Sequence, residues 1–230
     1  EPPVVSPQVI KTENKYKREL TVVLSLIEQH HYFSPRRNNA YAKLKQINAP
    51  TDDSISKAYR QLKESAISQV DVLTNQESLG DAEELLDDLV SNYAMKREAS
   101  ELSKNISIKK QEIKNRKEIN LHLTKAKQAI DKKRLFSPRR KNAFYHYQAI
   151  LKIDSNNHLA KEALKAFPKR VLRTIDSMVR KNDLDDAIDL AVLALENLSS
   201  DITISSKLDE LRMLEIANKK KSKKSISIGF

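Results

Sequence analysis

The sequence is poor in glycine, cysteine and aromatic residues, and each shortage excludes a class of protein. Only Gly80 and Gly229 occur among 230 residues, which leaves nothing from which to build a glycine-rich phosphate loop or a dinucleotide-binding turn. The absence of cysteine excludes disulfide frameworks, thiol nucleophiles and thiolate zinc sites, but leaves the compartment open. With 5% aromatic residues, no tryptophan and 32% charged residues, the core must consist mainly of aliphatic side chains and alanine, which favours helices.

No apolar run approaches the length of a membrane span. The longest, residues 22–27, is interrupted by Ser25 and is far shorter than the ~20 residues that cross a bilayer. The proline-containing start leads us to interpret residues 1–13 as a linker, which predicts a removed upstream segment such as a signal peptide or membrane anchor. Residues 218–230 combine a lysine run with strand-like alternation, and we interpret them as a basic tail or the start of a further domain.

Positive charge exceeds negative charge by a wide margin. The chain has 42 Lys and Arg against 31 Asp and Glu, a formal net charge of +11, with a pI near 9.6. Such a chain attracts nucleic acid, anionic lipid or an acidic protein, and the charge alone does not choose among them. Five of the six residues 219–224 are lysine, so about half of the excess is explained by the C-terminal tail.

One segment of nine residues occurs twice. Residues 33–41 (FSPRRNNAY) and 136–144 (FSPRRKNAF) are identical at seven of nine positions, at an offset of 103. After a two-residue insertion, Leu79 and Ala82 match Leu184 and Ala187 at an offset of 105. We therefore predict two homologous units of about 100 residues, 14–117 and 118–217, because repetition on this scale is typical of helical-repeat proteins.

Both units carry patterns typical of helices. The spacing of Ala40, Leu44 and Ile47 predicts one face of a helix, and Ser34 followed by Pro35 predicts its N-cap and first helical position. The counterparts in the second unit are Ser137, Pro138, Ala143, Tyr147 and Ile150. Acidic helix starts follow Leu79 and Leu184, with apolar faces through Leu86 and Leu89 and through Ala191 and Ala194.

Longer apolar periodicities predict the remaining helices. Segments 52–75 and 156–181 are predicted to be helical, the second with Leu159 on its apolar face and a break or kink at Pro168. Residues 95–134 form either one long helix or two with a joint near Asn115. A final helix over 202–217 carries Leu208, Leu211 and Leu214. The predicted fold class is all-α, with tandem helical hairpins.

Two segments resemble a known family. Residues 143–157 are similar to the second helix and exit turn of a tetratricopeptide repeat, and residues 181–187 are similar to its inter-helix turn. The usual tryptophan and helix-one glycine are missing, and the matching alanines at 40, 82, 143 and 187 lie 42, 61 and 44 residues apart instead of about 34. The pattern, over about residues 15–217, is also similar to helical-repeat segments that bacterial envelope proteins place between a membrane anchor and another domain.

This resemblance implies a function without catalysis. Tetratricopeptide-like proteins bind proteins or peptides, so the resemblance implies a protein or peptide partner, no enzymatic activity and no cofactor. It favours a periplasmic or envelope location slightly over the cytoplasm, in a fragment of a larger membrane-anchored protein.

The repeated arginine pairs, Arg36 with Arg37 and Arg139 with Arg140, are the most specific candidate site. In a first helical turn, cations oppose the helix macrodipole and require compensation. One interpretation pairs them with carboxylates at neighbouring helix starts, within residues 81–88 and 183–189. The other makes them an anion site, together with helix N–H groups, for phosphate, a carboxyl terminus or an acidic peptide.

Two tyrosines complete the candidate binding surface. Tyr41 and Tyr145 are proposed as aromatic anchors, although Tyr41, as the counterpart of Phe144, is equally a core candidate. Two alternatives to protein binding remain open. One is a structural spacer, and the other is salt-sensitive, sequence-independent nucleic-acid binding through the basic zone 104–117.

No catalytic or metal centre is indicated. His30 and His31 are adjacent, so on a helix their side chains point about 100° apart. His122, His146 and His158 lack the spacing of a zinc helix and are expected at the surface or rim of the fold. The acidic clusters at 81–84 and 183–186 lie where they complement helix dipoles, and the glycine-centred spacing of a calcium loop is missing.

Overall fold

The computed structural model describes residues 7–47, 53–198 and 201–227, and all regular secondary structure in those residues is α-helical. The predicted all-α class is therefore confirmed. The helices are α1 (Pro7–Glu28), α2 (Ala40–Gln46), α3 (Asp53–Asn75), α4 (Leu79–Asn92), α5 (Lys96–Asp131), α6 (Ala143–Ile153), α7 (His158–Lys165), α8 (Phe167–Val179), α9 (Leu184–Leu198) and α10 (Ile202–Ser227).

The chain forms two compact units that divide between Ile113 and Lys114, inside α5. The predicted boundary, between residues 117 and 118, lies four residues later in the same helix. Each unit has its own core of mainly aliphatic side chains and alanine, to which phenylalanines are added in the second unit. Fully buried members in the first unit are Val23, Leu44, Leu62, Val70 and Leu89. Those in the second unit are Phe167, Val171, Ile175, Ile204 and Leu211.

Most of the predicted apolar faces are buried. On α3, Ala58, Leu62, Ala66 and Val70 all face the core. Helices α4 and α9 begin with acidic residues as predicted, and bury Leu86 and Leu89, and Ala191 and Ala194, respectively. Because alanine is small, the backbones of α8, α9 and α10 can approach each other closely in the second unit.

The structure decides one open alternative and differs from two other predicted segments in detail. Residues 95–134 contain one continuous helix, α5, the first of the two predicted alternatives. The predicted break in 156–181 falls at Ala166, and Pro168 lies in the first turn of α8, where its missing N–H group is not required. Leu159 and Leu214 were predicted to be buried, but 62% and 40% of their surface is exposed.

The prediction that Pro35 and Pro138 open helices is wrong. Both prolines follow cis peptide bonds, and α2 and α6 begin five residues later, behind the N-caps Asn39 and Asn142. All four repeated arginines therefore lie in the turns before these helices and not in a first helical turn. The argument that they oppose a helix dipole loses its basis.

An asparagine side chain closes each of these turns. Asn142 donates its amide N–H groups to the carbonyl oxygens of Phe136, at 2.6 Å, and Pro138, at 3.0 Å, and its Oδ1 accepts from the backbone N–H of Tyr145 at 2.8 Å. Asn39 makes the equivalent three bonds in the first unit. Both asparagines are nearly inaccessible to solvent. Their side chains provide hydrogen bonds to backbone groups that would otherwise be buried without a partner.

Backbone hydrogen bonds tie the two ends of each turn together. In the α5–α6 turn (residues 132–142), the N–H of Ala143 donates to the carbonyl of Arg134 at 2.9 Å, and that of Phe144 to Leu135 at 3.2 Å. In the α1–α2 turn (residues 29–39), Ala40 donates to His31 and Tyr41 to Tyr32 at similar distances. The offset of 103 found in the sequence is therefore also an offset between matching hydrogen bonds.

The terminal segments are helical where the structure describes them. Helix α1 begins at Pro7, so residues 7–13 of the predicted linker are helical, and residues 1–6 lie outside the described part. Helix α10 continues through the lysine run to Ser227, where a tail or a strand was predicted, and residues 228–230 lie outside the described part.

Replacing Asn142 with alanine is expected to lower the free energy of unfolding by about 2–3 kcal/mol, since the change removes a helix cap and two hydrogen bonds to internal carbonyls. Asn142→Asp keeps the capping oxygen but not the N–H donors, and should lower the free energy of unfolding by an intermediate amount. Urea unfolding followed by circular dichroism measures both. The control is Asn38→Ala, at an exposed position next to Asn39 in the first unit, and a cost for Asn142→Ala no larger than for this control would contradict the assignment.

Candidate anion-binding clefts

The two units differ strongly in charge. Residues 114–230 contain 26 Lys and Arg against 14 Asp and Glu, a formal net charge of +12, whereas residues 1–113 contain 16 against 17, a net charge of −1. The whole excess of positive charge in the chain therefore belongs to the second unit. The five lysines of residues 219–224 supply fewer than half of the net charge of +12. An anionic partner would be attracted to this unit first.

A cleft beside the α5–α6 turn collects five of these cations. We call it the α5–α6 cleft, and its volume is about 380 Å³. Its basic side chains are Lys125, Lys132, Arg134, Arg140 and Lys141. No carboxylate lines it, and His146 lies at its inner side. None of the five cations belongs to an ion pair within the described residues.

A second basic cleft lies along α8 in the same unit. This α8 groove has a volume of 310 Å³ and contains Lys133, Lys169, Arg170 and Arg173, again without a lining carboxylate. Ser177 adds a hydroxyl group that can donate to an anion, whereas the hydroxyl of Thr174 donates to the carbonyl of Arg170 at 3.0 Å. The second unit therefore presents two surfaces on which cations are concentrated and no acidic side chain competes with a ligand.

The first unit has an acidic cleft beside its own turn, at positions that do not correspond to those lining the α5–α6 cleft. A cleft of 240 Å³ beside the α1–α2 turn is lined by Asp81, Glu84 and Asp88, together with His30 and Tyr32. Burial raises the pKa of Asp88, and the neighbouring charges of Glu84 and Asp87 raise it further. His30 Nδ1 lies 2.7 Å from the Tyr32 hydroxyl. This surface would repel the anion that the second unit attracts.

The four predicted arginines are all exposed, and the structure does not pair them with carboxylates. The interpretation as inter-helix ion pairs is therefore wrong for the described residues. The acidic helix starts have other partners: Glu83 of α4 contacts Lys110 of α5 at 2.5 Å. Of the four, Arg140 lines the α5–α6 cleft. Its backbone adopts a positive φ of 63°, in the left-handed region, whereas its counterpart Arg37 does not.

The two predicted tyrosine anchors have different surroundings. Tyr41 belongs to an aromatic cluster with Phe33, Tyr59 and Tyr93, with ring centroids 5.5–6.2 Å from its own, and Lys45 lies 4.5 Å above its ring. It packs against the first core, so its role is largely structural. Tyr145 is half-buried and contacts the ring of His146, which brings it near the α5–α6 cleft.

A histidine pair beside this cleft was missed in the sequence. The Nδ1 atoms of His122 on α5 and His146 on α6 lie 3.0 Å apart, close enough for one ring to donate to the other. His146 was expected at the surface or rim, but only 6% of it is exposed. Burial lowers its pKa, and the charges of His122 and Lys125 lower it further. The two residues are 24 positions apart, so only the packing of α6 against α5 brings them together.

The basic zone over residues 104–117 forms a solvated face of α5. Lys104, Lys114 and Lys117 are exposed, while Lys109 pairs with Glu112 and Lys110 with Glu83. These cations are spread around the helix and line neither the α5–α6 cleft nor the α8 groove.

Neither a metal centre nor a membrane span is present in the described part of the chain. No group of three or more histidine or acidic side chains could hold a metal ion there. None of the described helices combines the length and the apolar composition that crossing a membrane requires. Comparison with protein-family models, curated proteins and solved structures finds no match to this chain.

His146 is expected to titrate below the usual histidine pKa of about 6.5. The unfolded chain then takes up this proton before the folded chain, so stability should fall as pH decreases from about 6.5 through the folded-state pKa. NMR titration of the histidine ring protons measures the pKa directly. His122→Gln should raise it only in part, since burial is the larger cause, and His158→Gln, at an exposed site, should leave it unchanged. A pKa for His146 at or above 6.5 would refute this account.

Proposed function

We propose that this chain is a non-catalytic helical-repeat module that binds an acidic segment of a partner protein through its second unit. The observation that carries the proposal is the pair of basic clefts without carboxylates, the α5–α6 cleft and the α8 groove, on a unit with a net charge of +12. Clustered, unpaired cations repel one another, and an acidic ligand relieves that repulsion while gaining charge-assisted hydrogen bonds.

We also propose that the two units are homologous copies of one helical arrangement, similar to divergent tetratricopeptide repeats. Matching hydrogen bonds support this at two places in each copy. One is the asparagine-closed turn at the offset of 103. The other precedes α4 and α9 at the offset of 105, where Glu77 and Asn182 have positive φ and the N–H groups of Ser78 and Asp183 donate to carbonyls five residues earlier.

A spacer between an anchor and another domain is the less favoured alternative. A spacer needs exposed charge for solubility, but it has no use for cations gathered in clefts without counter-charges, because interspersed charges of both signs are more favourable. The first unit, with nearly balanced charge, is what a spacer of this fold would resemble. The contrast between the two units favours recognition.

Nucleic acid is the other alternative. The cations would suit a phosphate backbone, but no aromatic side chain besides the imidazole of His146 lines either basic cleft. Proteins that bind single-stranded nucleic acids derive a large part of their affinity from stacking of the bases on aromatic rings. An acidic protein segment needs no stacking platform and fits these surfaces better.

Affinity capture with three matched proteins tests this function. The bait proteins are the wild type, a cleft variant (Lys125→Ala, Arg134→Ala, Arg140→Ala) and a first-unit control (Arg36→Ala, Arg37→Ala), each checked for folding by circular dichroism. Captured proteins are identified, purified and measured for direct binding. We expect to capture one partner that has an acidic segment. Its affinity for the cleft variant should be lower by about tenfold or more than for the wild type, since at least one charge-assisted contact is lost. Its affinity for the first-unit control should be unchanged.

Two results would contradict the proposal. If nuclease treatment removes everything that the wild type captures, and purified nucleic acid binds with a steep salt dependence, the function is nucleic-acid binding. If no purified candidate binds, or if the cleft variant binds as tightly as the wild type, the second unit does not recognise an acidic partner through this surface.

A further inference from the structure

The cations of the α5–α6 cleft come from both ends of one closed turn. Lys125 lies on α5, Lys132 and Arg134 follow the end of that helix, and Arg140 and Lys141 lie just before α6. The hydrogen bond from Ala143 N–H to the carbonyl of Arg134 holds the ends together. All five side chains are exposed, so they are free to approach a ligand in a cleft of 380 Å³.

The number and type of these cations favour a compact ligand with two negative charges. A carboxylate carries one charge and two acceptor oxygens, whereas a phosphate monoester carries nearly two charges and three terminal oxygens. Two guanidinium groups can each bind a phosphate with paired N–H donors, and the lysines add point charges around it. A phosphodiester in a nucleic acid backbone has one charge per group and is a poorer match for so dense a cluster.

We infer that the α5–α6 cleft is a binding site for a phosphate monoester, with Arg134 and Arg140 as its principal donors and Lys125, Lys132 and Lys141 around them. This inference rests on the proposed function in one respect: the ligand in the cell is a phosphorylated side chain in the acidic segment of the partner. The chemistry of the site itself is independent of that source and can be tested with small molecules.

The first unit supplies a natural comparison. At the offset of 103, Arg140 corresponds to Arg37, which has the same place in a turn closed by the same asparagine bonds. The cations around it are not repeated: Lys125, Lys132 and Arg134 correspond to Val22, Gln29 and His31. One turn architecture therefore occurs with and without the surrounding positive charge, and phosphate binding is assigned to the second unit alone.

His146 makes the site sensitive to pH. Its ring lines the cleft and faces His122 and Lys125 of α5, and Tyr145 packs against it from its own helix. A proton taken up by His146 adds positive charge beside the bound anion. The affinity for an anion of constant charge should therefore rise as pH falls from about 6.5 through the lowered pKa of His146.

Isothermal titration calorimetry and amide NMR shifts test the site with O-phosphoserine and glutamate at constant ionic strength. We expect phosphoserine to bind about tenfold more tightly than glutamate, because of its second charge, and to shift the amide signals of Arg140 and Lys141. The double variant Arg134→Ala with Arg140→Ala should bind phosphoserine about tenfold or more weakly than the wild type. The double variant Arg36→Ala with Arg37→Ala should bind phosphoserine as tightly as the wild type. Sulfate, a dianion at every pH used, should bind more tightly at low pH in the wild type but not in His146→Gln.

Three results would overturn the inference. These are equal affinities for phosphoserine and glutamate, an unchanged affinity in the folded Arg134 and Arg140 variant, or displacement of phosphoserine by lower concentrations of an oligonucleotide without terminal phosphates. Failure here remains distinct from failure of the proposed function. If phosphoserine does not bind, but the purified acidic partner does and depends on the cleft, the module recognises carboxylates and only the phosphate assignment is wrong.

Discussion

The internal hydrogen bonds of Asn39 and Asn142 are the constraint on which both units depend. Each amide satisfies two carbonyls of the preceding turn and the first free N–H group of the following helix. The turn is thereby fixed against the helix that it starts, and the backbone pair between Ala143 and Arg134 joins its two ends. In the second unit this closure has a functional consequence, because residues nine positions apart along the chain are brought to one cleft.

The two turns share their closing hydrogen bonds but not an electrostatic environment. The arginine pairs are common to both, whereas the lysines and Arg134 around the second pair are not. The first unit instead has an acidic cleft next to its turn. In the proposed function, the turn itself therefore has a structural role in both units, and recognition belongs to the second unit alone.

Local patterns in the sequence predict the helices well and the site poorly. The face of α3, the acidic starts of α4 and α9, and the break near Pro168 all follow from short-range periodicity and capping rules. The start of α2 was misplaced because Ser34 and Asn39 are both good caps, and only the tertiary contacts of the asparagine amide decide between them. The predicted site was incomplete because a search for repetition finds only residues that the two units share. The cations that distinguish the α5–α6 cleft, such as Lys125 and Arg134, occur in the second unit only.

A crystal structure of the protein with tungstate, a dianion shaped like phosphate and located by its anomalous scattering, tests the central claim most directly. At limiting concentration, the account predicts a tungstate ion in the second unit, within hydrogen-bonding distance of the guanidinium groups of Arg134 and Arg140. Tungstate bound at Arg36 and Arg37 of the first unit, or distributed over exposed lysines with none in the α5–α6 cleft, would contradict it.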